Sequence, residues 1–152
     1  MTLPSLLAGL VAVLQAHPLC RNIASRETQE FSTDQFFLKI RVDLPEGNKF
    51  QVRVYYNRGH VDYAYQLFRE IPLLRWDNKE EFRQLETYQH HHHDEQGNVH
   101  SSPLGGDPLK DLEYVLGRVS AFVRLNRKCT DFRAGPMGIQ CNGKRSGRNG
   151  RA

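Results

Sequence analysis

The sequence has no pair of cysteines close enough to clamp a metal or close a small loop. Its three cysteines, Cys20, Cys129 and Cys141, are widely spaced and odd in number. That pattern excludes a disulfide scaffold and a zinc ribbon, and reduced thiols in a cytoplasmic protein are the simplest reading. Long hydrophobic runs are missing as well. The apolar stretch from Leu3 to Leu14 is short and interrupted, whereas a membrane span needs about 20 residues. No Lys or Arg precedes Arg21, so the positive start of a secretory signal is lacking. Neither export nor a membrane partner is expected. No internal repeat is visible.

Charge is unevenly shared. From Arg124 onward there are eight basic residues and one acid, against 13 basic and 16 acidic residues in 1–123. A broadly basic nucleic-acid-binding domain is therefore excluded, and the positive field belongs to the tail. That tail, residues 126–152, is Gly-rich and basic. It is expected to be disordered, and its Arg and Lys would be available to phosphate.

What is present reads as one α+β domain. Leu3, Leu6, Leu7, Leu10, Val11 and Leu14 recur at helical spacing, which predicts an amphipathic helix within residues 1–20. After a polar link from Arg21 to Ser32, strict alternation begins. In FFLKIRVDL, Leu38, Ile40, Val42 and Leu44 share one face, as on a half-buried strand. KFQVRVYY, VDYAYQLF and IPLLRWDN give three more strands, separated by the turn sequences PEGN and NRGH. Asp107 and Pro108 start a second helix, whose apolar stripe runs from Leu109 through Leu112, Val115, Leu116 and Val119 to Val123. The expected fold is an antiparallel β-meander of about four strands packed against an N-terminal and a C-terminal helix. The single domain spans 21–125.

The chemistry concentrates in LRWDNKEEFRQLETYQHHHHDEQGNVHSS, Leu74 to Ser102. On a strand, Leu74 and Trp76 share one face, while Arg75 and Asp77 share the other. The latter pair is expected on the outer face as a surface ion pair. If His90–His93 is extended, His90 and His92 face one side and His91 and His93 the other. Three readings stay open at this point. An HxH pair, His91 and His93, would ligate Zn²⁺ if a further ligand came from elsewhere, with Asp77, Asp94 and Glu95 as candidates. Two imidazoles would serve as general acid and base. With Arg75 holding a phosphate, that would suit metal-independent RNA cleavage by 2′-hydroxyl attack. The strip would otherwise be a solvated polar loop.

The run RWDN…LETYQHHHH resembles the TumE family of small prokaryotic toxin–antitoxin proteins. The family pattern is close to R-[WY]-D-N-A-P-H-H, a few residues, then T-F-P-H-H-K-H and a C-terminal helix. Arg75, Trp76, Asp77 and Asn78 match its first part, and Thr87, Tyr88, His90, His91 and His93 its second. The resemblance spans about residues 35 to 123. It departs at Glu80, Glu81 and Phe82, where the pattern has P-H-H, at Gln89 for Pro, and at His92 for Lys. The resemblance implies a toxin covered by a cognate antitoxin and acting on RNA or translation, in the manner of an endoribonuclease. In that reading Arg75, Asp77, His90, His91 and His93 are catalytic, and Tyr88 and Asn78 contact substrate. No cofactor is required, with Zn²⁺ at His91 and His93 as the alternative. The alternative function is a non-enzymatic or degenerate binding module whose His-rich strip holds a metal or a partner.

Overall fold

The structure, a computed structural model, describes residues 1–131, with side chains described through Arg127. Of the segment 126–152 expected to be disordered, residues 126–131 continue the last helix, and the rest lies outside the described residues.

The class is α+β, as expected, but the sheet has seven strands where the sequence suggested about four. All are antiparallel and lie in chain order: β1 (Arg21–Ser32), β2 (Gln35–Asp43), β3 (Lys49–Asn57), β4 (His60–Phe68), β5 (Pro72–Asp77), β6 (His91–His93) and β7 (Val99–Ser101). The four expected strands are β2 to β5. The polar link proved to be β1, an edge strand whose register with β2 breaks at three places. Most of its residues are exposed, so no alternation of polarity marked it as a strand. Strands β6 and β7 have three residues each, too few for a period to show.

Alternation gives the sheet one apolar face. Phe36, Leu38, Ile40, Val42, Phe50, Val52, Val54, Tyr65 and Leu67 are fully buried there, with Trp76 close behind. Two helices cover it. Leu6, Leu10 and Leu14 face inward from α1 (Leu3–Ala16), and Leu112, Val115, Leu116, Val119 and Val123 from α2 (Pro108–Asp131). Both helices are capped, α2 at Asp107 as the sequence indicated and α1 at Thr2. The hydroxyl of Thr2 accepts from the Ser5 amide, and the carboxylate of Asp107 accepts from the Leu109 amide at 3.2 Å. The turn between β3 and β4 sets Arg58 at φ +50° and Gly59 at φ +90°, both left-handed. A two-residue hairpin needs that conformation to match strand twist. Among the described residues, no helix is long and apolar enough to cross a membrane.

Among the described residues, no helix packs on the opposite face of the sheet. It is left to polar and aromatic side chains, and on it the strip from β5 to β6 is assembled.

Candidate functional site

Strand pairing alone builds the site. Arg75 and Asp77, two residues apart on β5, project from the same face. In the β5–β6 ladder His91 stands opposite Asp77 and His93 opposite Arg75. Directly opposed side chains have Cβ atoms about 5 Å apart, so the register gathers four polar groups into a square.

Asp77 is the hub. Its Oδ2 accepts from Arg75 Nε at 2.6 Å, and its Oδ1 accepts from the Lys79 amide at 3.1 Å. The Nε2 of His91 lies 2.9 Å from Oδ1, and the Nε2 of His93 lies 3.9 Å from Oδ2. The expectation of a surface ion pair is corrected here. The face is as read, but Asp77 is only 2% exposed and His91 only 1%. The cause is the connection from residue 78 to 90, which folds over the square. Phe82 packs its ring edge-on against His91 at 4.7 Å and against His93 at 5.8 Å. Arg75 keeps about a third of its side chain exposed and reaches from the buried carboxylate to solvent.

His91 is held by its other nitrogen. Nδ1 lies 3.2 Å from the carbonyl oxygen of Gln89, which can only accept, so Nδ1 carries the proton. Gln89 sits at φ +80°, a conformation costly for a residue with a Cβ and common at functional sites. Nε2 is thereby left facing Asp77. The 2.9 Å approach does not have the direction of a hydrogen bond, and Nε2 remains buried without a partner. Burial lowers the pKa of the half-buried His93 below the ordinary imidazole value, with the Asp77 carboxylate pulling the other way.

The other two histidines of the run face the helices, as the strand period implied. His90 Nδ1 is 2.8 Å from the Tyr63 hydroxyl, and the two rings lie nearly parallel. His92 stacks on Trp76 at 4.7 Å, and its pKa is pushed down to about 4, first by burial and then by His100 and Arg118. The structure therefore brings Arg75, Asp77, His91 and His93 together and sets His90 apart from them.

Asn78 is engaged in the fold. Its amide oxygen accepts from the Tyr63 amide at 2.9 Å, and its nitrogen donates to the Val61 carbonyl at 2.7 Å. The side chain thus continues the β4–β5 ladder where β5 ends. Asn78→Ala is expected to cost about 1–3 kcal/mol, because one buried and one part-buried backbone group lose their partner; a urea denaturation curve measures it. Thr87 has a similar task. Its hydroxyl donates to the His90 carbonyl and accepts from the Ser102 amide, fixing the entry to β6. Tyr88 stands exposed on the connection.

Phe82, Gln89 and the Lys79 amide were not found by sequence reasoning. An aromatic residue in an otherwise polar segment was the available signal for Phe82. The other two act through backbone groups, which side-chain identity does not reveal.

Two clefts meet at the site. One, of about 480 Å³, is lined by Gln66, Arg75, Asp77, Lys79, Glu81 and His93 among others. Its neighbour, of about 620 Å³, shares Arg75, Lys79 and Glu81 and extends over the open face of the sheet to Arg53, Tyr55 and Phe37. The small Ala64 pairs with Asp77 and forms part of its floor. The clefts offer Arg53, Arg75 and Lys79 and aromatic faces, interspersed with the acids Asp62, Glu80 and Glu81, and reach Asp77 and His93. Three groups, Asp77, His91 and His93, place one ligand atom each within 4.8 Å of one another, and among the described residues they form the cluster able to hold a metal ion.

Searches of curated proteins and of solved structures gave no match to this chain. A family model described as Toxin TumE matches residues 10–123, a span that contains the second half of α1, the packing face of α2, the whole sheet and the site.

Proposed function

We propose a function from the premise that this chain belongs to the TumE toxin family: it is a toxin, and it arrests growth by cutting RNA at the Asp77 centre. One observation carries this reading. A guanidinium about one-third exposed, Arg75, is fixed at 2.6 Å to a buried carboxylate that two imidazoles also approach, in the wall of a cleft.

Phosphodiester transfer within RNA needs two services. A group must take the proton of the 2′-hydroxyl as its oxygen attacks phosphorus, and the charge developing on the phosphoryl oxygens must be met by a cation. The P–O5′ bond then breaks, and the leaving oxygen takes up a proton. The products are a 2′,3′-cyclic phosphate and a 5′-hydroxyl. Arg75 suits the second service, because its fork-shaped donors fit phosphate. Proton transfer falls to the His91–His93–Asp77 set. Arg53, Tyr55 and Phe37 along the neighbouring cleft suit a single strand, whose phosphates take cations and whose bases stack on rings. A cognate antitoxin is the expected partner, and covering this groove would silence the toxin.

Incubation of the purified chain with single-stranded RNA, followed by analysis of the fragment ends, tests this. Cyclic phosphate and 5′-hydroxyl ends are expected, with cleavage by Arg75→Ala at least about a hundredfold slower. Intact RNA after prolonged incubation with folded protein would end the RNA reading.

A second reading, a binding module without catalysis, is favoured by one observation. Phe82 lies over His91 and His93 at a position where the TumE pattern has histidine. The same incubation separates the two readings.

A further inference from the structure

We propose that Asp77, His91 and His93 together bind one divalent first-row transition-metal ion, represented by Zn²⁺ or Co²⁺, and that this ion serves the chemistry of the centre. The catalytic half of the inference rests on the RNA-cleavage reading and replaces direct proton transfer by these three side chains with their service as ligands, whereas the binding half stands without it.

The first reason is the unpartnered nitrogen. With its Nδ1 proton committed to the Gln89 carbonyl, a neutral His91 presents the Nε2 lone pair to the Asp77 carboxylate. Two electron-rich atoms 2.9 Å apart in a buried site repel each other unless something positive lies between them. A proton on Nε2 would make a charge-assisted hydrogen bond, but the direction of approach is wrong for one.

The second reason is that a shared cation would account for a close approach that is not a hydrogen bond. If two ligand atoms at that separation each lie about 2.1 Å from one ion, the nitrogen lone pair points about 45° away from the line joining them. That is too oblique for a hydrogen bond and correct for coordination. His93 lies on the same side, its Nε2 3.9 Å from the other carboxylate oxygen.

The surroundings are those of a metal site. A ligating histidine commonly donates its second N–H to a backbone carbonyl, which fixes ring and tautomer; Gln89 does this from a strained backbone. The Lys79 amide and Arg75 Nε orient the carboxylate and leave other lone pairs free on its oxygens. Phe82 supplies an apolar wall beside both imidazoles. Two imidazoles and a carboxylate suit zinc and its first-row neighbours better than Mg²⁺ or Ca²⁺, which favour all-oxygen sets. Three protein ligands leave coordination positions open, as in catalytic rather than structural sites. The cleft of about 480 Å³ holding Asp77 and His93 gives a phosphoryl oxygen access to them.

The test uses the full chain, stripped by chelator and titrated with Co²⁺ by visible absorbance and with Zn²⁺ by calorimetry. One equivalent is expected to bind. Affinity should fall about tenfold or more in His93→Ala and in Asp77→Asn, both checked for folding by circular dichroism. His100→Ala, which removes an exposed histidine paired to Asp94, should bind as wild type does. No saturable binding by folded wild type, or equal affinity in His93→Ala, would overturn the site. Full RNA cleavage in excess chelator would overturn the catalytic half and leave the RNA reading intact. One-to-one binding without any cleavage would support the site and end the RNA reading instead.

Discussion

Asp77→Ala is expected to lower folding stability by about 2–3 kcal/mol, the cost of leaving the donors of Arg75 and the Lys79 amide without their acceptor. The carboxylate is 2% exposed, and Arg75, His91 and the Lys79 amide all turn toward it. Without it, the Lys79 amide and the guanidinium Nε lose the acceptor that satisfies them. The loss follows from Asp77 being hidden beneath the connection from residue 78 to 90. Had the pair stood on an open surface, as its strand position suggested, the same change would cost about 1 kcal/mol or less. Urea or thermal denaturation of wild type and variant distinguishes the two, and a loss within the smaller range would contradict the burial. Asp77→Asn keeps the shape and tests the charge alone.

His93→Ala should separate stability from activity. Its side chain is 29% exposed and stands at the mouth of the site, so truncation is expected to cost less than about 1 kcal/mol. Its effect on cleavage should be about 10²- to 10⁴-fold. That is the range for removing a proton-transfer group, and loss of a ligand from a catalytic ion would be at least as severe. Single-turnover rates on a short RNA, measured beside the denaturation midpoint, give both numbers. A variant that folds and cleaves as wild type does would remove His93 from the mechanism.

Much of this was legible from period-two patterning. Strands β2 to β5 alternate cleanly because one face meets two helices and the other meets solvent. The same rule places His91 and His93 with Asp77 and sends His90 and His92 to Tyr63 and Trp76. Strand β1 escaped because almost nothing covers it on either face, so burial imposed no alternation to read. Strands β6 and β7 escaped because pairing with β5, not their own composition, makes them strands. The burial of Asp77 was not legible either. It depends on how an irregular 13-residue connection folds back, and on Phe82 in particular. Nor could residue type reveal that Asn78 acts as an extra rung of the ladder, since the same amide at a cleft wall would suit a ligand equally well.

The central claim is that this toxin acts through the square of Arg75, Asp77, His91 and His93. The most direct measurement is growth of a bacterial host on induction of the wild-type chain, beside a His91→Ala/His93→Ala variant of matched soluble expression. Arrest by the wild type with recovery in the variant is the predicted result. Equal arrest by both chains would contradict the account and place the toxic activity elsewhere in the molecule.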